Sequence, residues 1–190
     1  MKCKLSHIAG ITGFIIGSIA LTASAQTSAN GPYYATPSWD QTLPAATRFI
    51  VLINMNSEAV LDRETGLVWA KTPSSSPSPT WFQANGTCIG ASIGNRMGWR
   101  LPTIQELTSL IDPSNFNGNP AFQSGHPFVG ISSSSFWSST TVSQIETVPF
   151  AYTLTFFPPA IGGFNIQGSN KAFPGSRAWC VRGGTAQQLQ

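Results

Sequence analysis

The chain has 190 residues, enough for one domain with a substantial core and too few for two large ones. Charged residues are 9% of it and the formal net charge is +3, which excludes a nucleic-acid binder built on a basic patch. Two of those positive charges, Lys2 and Lys4, lie at the extreme N-terminus; the remainder is nearly neutral and rich in Ser, Thr, Asn, Gln and Gly, a surface suited to neutral hydrogen-bonding partners.

Residues 1–25 have the order of a secretory signal peptide: the two lysines, an apolar run from Ile8 to Leu21, and Ala23-Ser24-Ala25 as a small-residue cleavage site. The apolar run is short and interrupted by glycines, so no membrane span is expected after cleavage; an uncleaved anchor is the alternative. No cysteine stands at the cleavage site, which argues against a lipid anchor. Residues 26–47, broken by Pro32, Pro37 and Pro44, read as an extended polar arm. A domain follows over residues 48–184, with residues 185–190 as a disordered tail.

Phe49-Ile50-Val51-Leu52-Ile53, within the stretch from Arg48 to Met55, reads as a buried strand. Ala59 to Asp62 and Gly66 to Ala70 read as a hairpin turning on Arg63-Glu64-Thr65-Gly66, with Trp69 pointing inward. A serine- and proline-rich loop from Lys71 to Thr80 leads to a helix that Thr80 and Gln83 can cap and whose inner face carries Trp81, Ala84 and Cys88; Gly86 and Gly90 weaken it. Asn85-Gly86-Thr87 matches a glycosylation acceptor, more simply a chance match in a helix that needs small residues.

The clearest signal is Gly98-Trp99-Arg100-Leu101-Pro102-Thr103-Ile104-Gln105-Glu106. Thr103 and Glu106 form a capping box, Ile104, Leu107, Leu110 and Ile111 share one face, and Asp112-Pro113 ends the helix. Arg100 opposite Glu106 reads as half of a partly buried ion pair, or as a donor to main-chain carbonyls, in preference to an active pair. Pro113 to Ser135 is a long loop. Phe136 to Thr140 reads as a strand. In Phe150 to Phe157, Phe150, Tyr152, Leu154 and Phe156 alternate with Ala151, Thr153 and Thr155 as in a half-buried strand. Gly163 to Gly168 is a further short strand and Arg177 to Arg182 the last.

Of three cysteines, Cys88 and Cys180 lie beyond the leader, and in an oxidising compartment such a pair is most simply a disulfide. A zinc site would need more ligands than these two and His126 supply. Asp112, Asn115, Asn117 and Asn119 offer oxygens in one loop, but one carboxylate gives little hold on calcium, and turn formation accounts for them better. There is no Gly-x-Ser-x-Gly, and His126 is the one imidazole after the leader, so no catalytic residue, metal or cofactor is assigned.

Asp62-Arg63-Glu64-Thr65-Gly66-Leu67-Val68-Trp69, Gly98-Trp99-Arg100-Leu101-Pro102-Thr103, Phe136-Trp137-Ser138-Ser139-Thr140 and Trp179-Cys180-Val181-Arg182-Gly183 together resemble the Lcl C-terminal domain family. This bacterial family is named for the tail of a collagen-like surface adhesin. The resemblance implies an α+β, C-type-lectin-like fold, related to that of the formylglycine-generating enzymes. A small antiparallel sheet would be flanked by two helices, the first and last strands would be adjacent, and a disulfide would join the first helix to the final strand, where Cys88 and Cys180 stand. The adhesin's preference for sulfated glycosaminoglycans needs clustered cations, and only Lys171, Arg177 and Arg182 are close in sequence here.

The resulting expectation is a secreted, non-enzymatic recognition or adhesion module for a polysaccharide or a surface protein. Loops Pro113 to Ser135 and Pro158 to Ser176 would hold the ligand. Phe128, Phe164 and Phe173 would stack on sugar faces, Asn115, Asn117, Asn119, Asn165 and Asn170 would bond hydroxyls, and His126, Lys171 and Arg177 would add contacts. The rivals are a periplasmic or extracellular enzyme, marked by a deep pocket in which His126 meets an acid, and a structural subunit pairing through the arm.

Overall fold

The computed structural model describes residues 28–29, 42–75, 77, 80–112, 122–131, 133–142, 149–157 and 162–184. They form an α+β fold with two small sheets and three short helices. The first sheet contains β1 (Ser28–Ala29), β2 (Phe49–Leu52), β3 (Ala59–Asp62), β4 (Val68–Ala70) and β8 (Val181–Arg182), in the order β1-β2-β3-β4-β8. The second contains β5 (Ser134–Val142), β6 (Phe150–Phe156) and β7 (Phe164–Asn170), in chain order and antiparallel. None of the described helices is long and apolar enough to cross a membrane.

The expected hairpin is β3 and β4. Asp62 closes its turn: its carboxylate accepts from the Glu64 amide (3.0 Å) and the Thr65 hydroxyl (3.0 Å), while Gly66 takes the positive φ of 72°. The run after Arg48 stays extended only to Leu52; Ile53–Met55 coils into a 3₁₀ turn, and Asn56 and Ser57, both at positive φ, reverse the chain into β3. Gly94, in a second tight turn, lies so close to Met55 that a Cβ would sit 2.4 Å from that residue's own Cβ. Only glycine fits there.

Helix α1 (Ala45–Arg48) occupies the end of the segment read as an extended arm, and β1 pairs in parallel with β2. Helix α2 (Trp81–Ile89) starts on the Thr80 hydroxyl, which accepts from Gln83 N–H, and buries Ala84 and Cys88. Helix α3 (Ile104–Ser109) has the full capping box, with Thr103 Oγ1 accepting from Glu106 N–H and Glu106 Oε2 accepting from Thr103 N–H. It ends short of Asp112, because the Thr108 and Ser109 hydroxyls take the carbonyls of Gln105 and Glu106.

Two expectations about the sheets are corrected. The last strand does not lie beside the first: β2 is flanked by β1 and β3, so β8 joins the edge of β4 that the hairpin leaves open. It is also shorter than expected: only Val181 and Arg182 pair with β4, while Arg177 bridges to Phe136 of β5 and Cys180 O accepts from Ala70 N–H. In β6 the aromatic side is not the only buried one. Ala151 and Thr153 are fully buried while Phe150 and Tyr152 are half-exposed, because Thr153 pairs with buried Trp137 on one neighbour and Gln167 on the other.

The core forms around Trp179, whose ring lies 5.0 to 5.2 Å from those of Phe136, Phe128 and Trp69 and whose Nε1 donates to Ala70 O at 2.8 Å. Cys88 and Cys180 are joined, with an S–S distance of 2.03 Å. The disulfide thus ties α2 to the residue that enters β8. Arg100 and Glu106 form the partly buried bidentate pair expected, at 2.6 and 2.7 Å.

Candidate ligand groove on the second sheet

Along β5, β6 and β7 the residues Ser135, Trp137, Thr155, Gln167 and Ser169 fall on one side of the pleat, the side away from Phe136, Leu154 and Phe156. Over this side folds the loop Phe173 to Ser176. Between them is an open groove of about 330 Å³, lined by those strand residues, Asn170 and the loop. Among the described residues, no ionisable side chain lines it.

The floor is held by neutral hydrogen bonds. Ser135 Oγ and Ser176 Oγ are 2.8 Å apart, Thr153 Oγ1 and Ser169 Oγ 3.1 Å, and Asn165 Nδ2 donates to Gln167 Oε1 at 3.4 Å. Asn170 Oδ1 accepts from Ala172 N–H at 2.9 Å, which leaves its amide nitrogen as a donor. Trp137 forms part of the floor, and its Nε1 is buried with no partner. At the rim Phe173 presents a largely exposed ring, 65% accessible.

The residues named from sequence are scattered. Asn170 lines the groove with Phe173; Asn165 is exposed on the face of β7 that carries Gln167 and Ser169. Phe164 is half-buried against the core, on the opposite face. Phe128 is not a surface platform. It is 5% accessible and packs edge-on to Phe49 and Trp179, because the apolar interior offers its ring more contact than the loop surface does. Lys171 is likewise no open contact: its ammonium lies 4.2 Å from the Trp81 ring centre and donates to Thr141 Oγ1 at 2.8 Å, and burial lowers its pKa. Arg177 is half-buried and donates to Gly130 O. Asn115, Asn117 and Asn119 lie outside the described residues.

His126 is half-buried between the rings of Phe122 and Phe128, with centroids at 5.1 and 6.0 Å, and no carboxylate lies within ion-pair distance among the described residues. Burial lowers its pKa from 6.5. The fold therefore favours the neutral ring, while the unfolded chain takes up a proton near 6.5; stability is whole above that value and falls as pH drops toward the depressed folded value. The expected result is a thermal midpoint that declines between about pH 7.5 and about pH 5, with a smaller decline in His126→Gln. Equal slopes in the two proteins would remove His126 from the account.

Sequence reasoning missed Ser135, Thr155, Gln167 and Ser169, which look like an ordinary solvent-facing alternation. The available signal was the polar phase of Phe150 to Phe156, continued by Asn165, Gln167 and Ser169 across the sheet.

Among the described residues, no cluster of three or more His, Cys, Asp or Glu side chains is placed to hold a metal ion. No curated relative and no solved structure matches the chain. Residues 58–182, which span the hairpin, α2, α3, the second sheet and β8, match the model of the Lcl C-terminal domain, and the chain belongs to that family.

Proposed function

We propose that this protein is a secreted or cell-surface recognition module of C-type-lectin-like architecture, related to the adhesin tail domains, that binds a neutral polysaccharide without transforming it. The observation that carries the reading is the groove. A wall of hydroxyls and amides with no ionisable side chain among the described residues, and an exposed ring at its rim, are the chemistry that sugar faces and hydroxyls require. The leader-like first residues and the disulfide fit an oxidising compartment outside the cytoplasm.

An array of neutral and acidic glycans, probed with the protein lacking residues 1–25, tests the reading. Binding to neutral glycans is expected, unchanged by a chelator and insensitive to salt because no charge lines the groove. Phe173→Ala should weaken it roughly tenfold, the loss of one stacked ring. Silence across the array, or affinity that Phe173→Ala leaves intact, would turn the assignment toward a protein partner or a different surface.

A further inference from the structure

β7 forms the outer edge of the second sheet, with β6 on its inner side and no strand on the other among the described residues. It pairs with β6 in unbroken register over all seven residues. Long regular edges invite another strand, and soluble proteins usually blunt them with charges, proline or bulges. Phe164-Asn165-Ile166-Gln167-Gly168-Ser169-Asn170 has none of these on its outer edge.

The order of side chains on this edge is self-complementary. Ile166 is exposed, at 39%, and Gly168 two residues on shares its face. Beneath the missing side chain of Gly168 lie Val142 and Phe150, both half-exposed; a Cβ there would meet them at 3.5 and 4.0 Å. If two β7 strands run antiparallel about a twofold axis at Gln167, Ile166 of each stands opposite Gly168 of the other. Each isoleucine then covers the other copy's Val142 and Phe150. On the groove side the same register sets Gln167 against Gln167 and Asn165 against Ser169, amide and hydroxyl pairs without like-charge repulsion.

We propose that β7 is a homodimer edge, on which a second copy of this chain extends the three-stranded sheet to a continuous six-stranded one through an Ile166-to-Gly168 knob and socket. The twofold brings both grooves onto one face of the joined sheet. The proposal is independent of what the grooves bind.

Sedimentation equilibrium on the protein lacking residues 1–25, from about 1 to about 200 µM, is the test. A monomer–dimer equilibrium is expected in that range. Gly168→Thr fills the socket at a position whose φ is not positive, and a β-branched residue suits a strand, so its thermal midpoint should hold or rise while dimerisation weakens at least about tenfold. Gln167→Lys, which sets two ammonium groups face to face on the axis, should do the same without touching the core. A wild-type monomer throughout, or an oligomer that neither variant weakens, overturns the proposal. So does an oligomer that is lost only when residues 26–47 are removed, which would assign the contact to the arm.

Discussion

Replacing Cys88 and Cys180 together with alanine is expected to lower the unfolding free energy by about 4 to 5 kcal/mol, the chain-entropy value for a loop closed across 92 residues. The structure gives a local reason why the loss is not recovered elsewhere. Helix α2 is nine residues long, below the length at which a helix persists alone, and Gly86 weakens it by about 1 kcal/mol more. Its outward face carries exposed Phe82 and Ile89, which gain nothing from the core. Among what remains without the disulfide are burial of Ala84, packing of Trp81 against the core, its Nε1 bond to Ser138 O at 2.7 Å, its N–H bond to Lys171 O at 2.9 Å, and Lys171 over its ring. Urea unfolding of the double variant and of the reduced wild type should give matching, lowered midpoints, with amide protection lost first in Trp81–Ile89. A midpoint unchanged by either treatment would mean that the Trp81 contacts alone hold the helix.

Asp62→Ala is expected to cost about 3 kcal/mol, because it takes the bidentate partner from a buried cation and leaves it one part-exposed carboxylate, Glu64. Arg48 is 3% accessible and Asp62 is fully buried; Nε and Nη2 of the arginine meet the two carboxylate oxygens at 2.9 Å each. The third nitrogen pairs with Glu64 at 2.9 Å, and Nη2 also donates to Ser109 O at the end of α3. One guanidinium thus joins β2, the hairpin turn and α3. Replacing both partners by apolar residues, Arg48→Met with Asp62→Leu, should cost less than Asp62→Ala, since the buried guanidinium leaves with its partner and Glu64, which loses Arg48, is partly exposed and still accepts from Leu43 N–H; about 1 kcal/mol of loss is expected to remain from the turn bonds to Glu64 and Thr65. Urea midpoints at constant m-value decide it. If the double replacement is as damaging as the single one, the pair contributes through its turn geometry and not through its charge.

The difference between these two features shows what the amino-acid order reveals. The thiols were legible because two cysteines without further metal ligands have few other uses, and the start of α3 because a capping box needs only neighbouring residues. Arg48 and Asp62 look like ordinary strand-end charges until Phe49 to Val51 is paired with Val60 to Asp62, a register that brings them together. The partly buried Arg100–Glu106 pair, six residues apart, was visible. Function follows the same rule. Phe173 and Asn170 were named as surface aromatics and amides, but Phe128 carries the same composition in its loop and is a core ring; only the packing around Trp179 separates them. Gln167 and Ser169 entered the site through the alignment of three strands, which no local pattern fixes.

The position of β8 has a consequence for how the molecule is made. The edge of β4 stays open, and Trp69 lacks its neighbour Trp179, until the segment around Cys180 and Val181 leaves the ribosome. A nascent chain cannot complete the first sheet, or its crosslink, while the segment around Cys180 is still in the exit tunnel, so closure of this sheet waits on contacts distant in sequence.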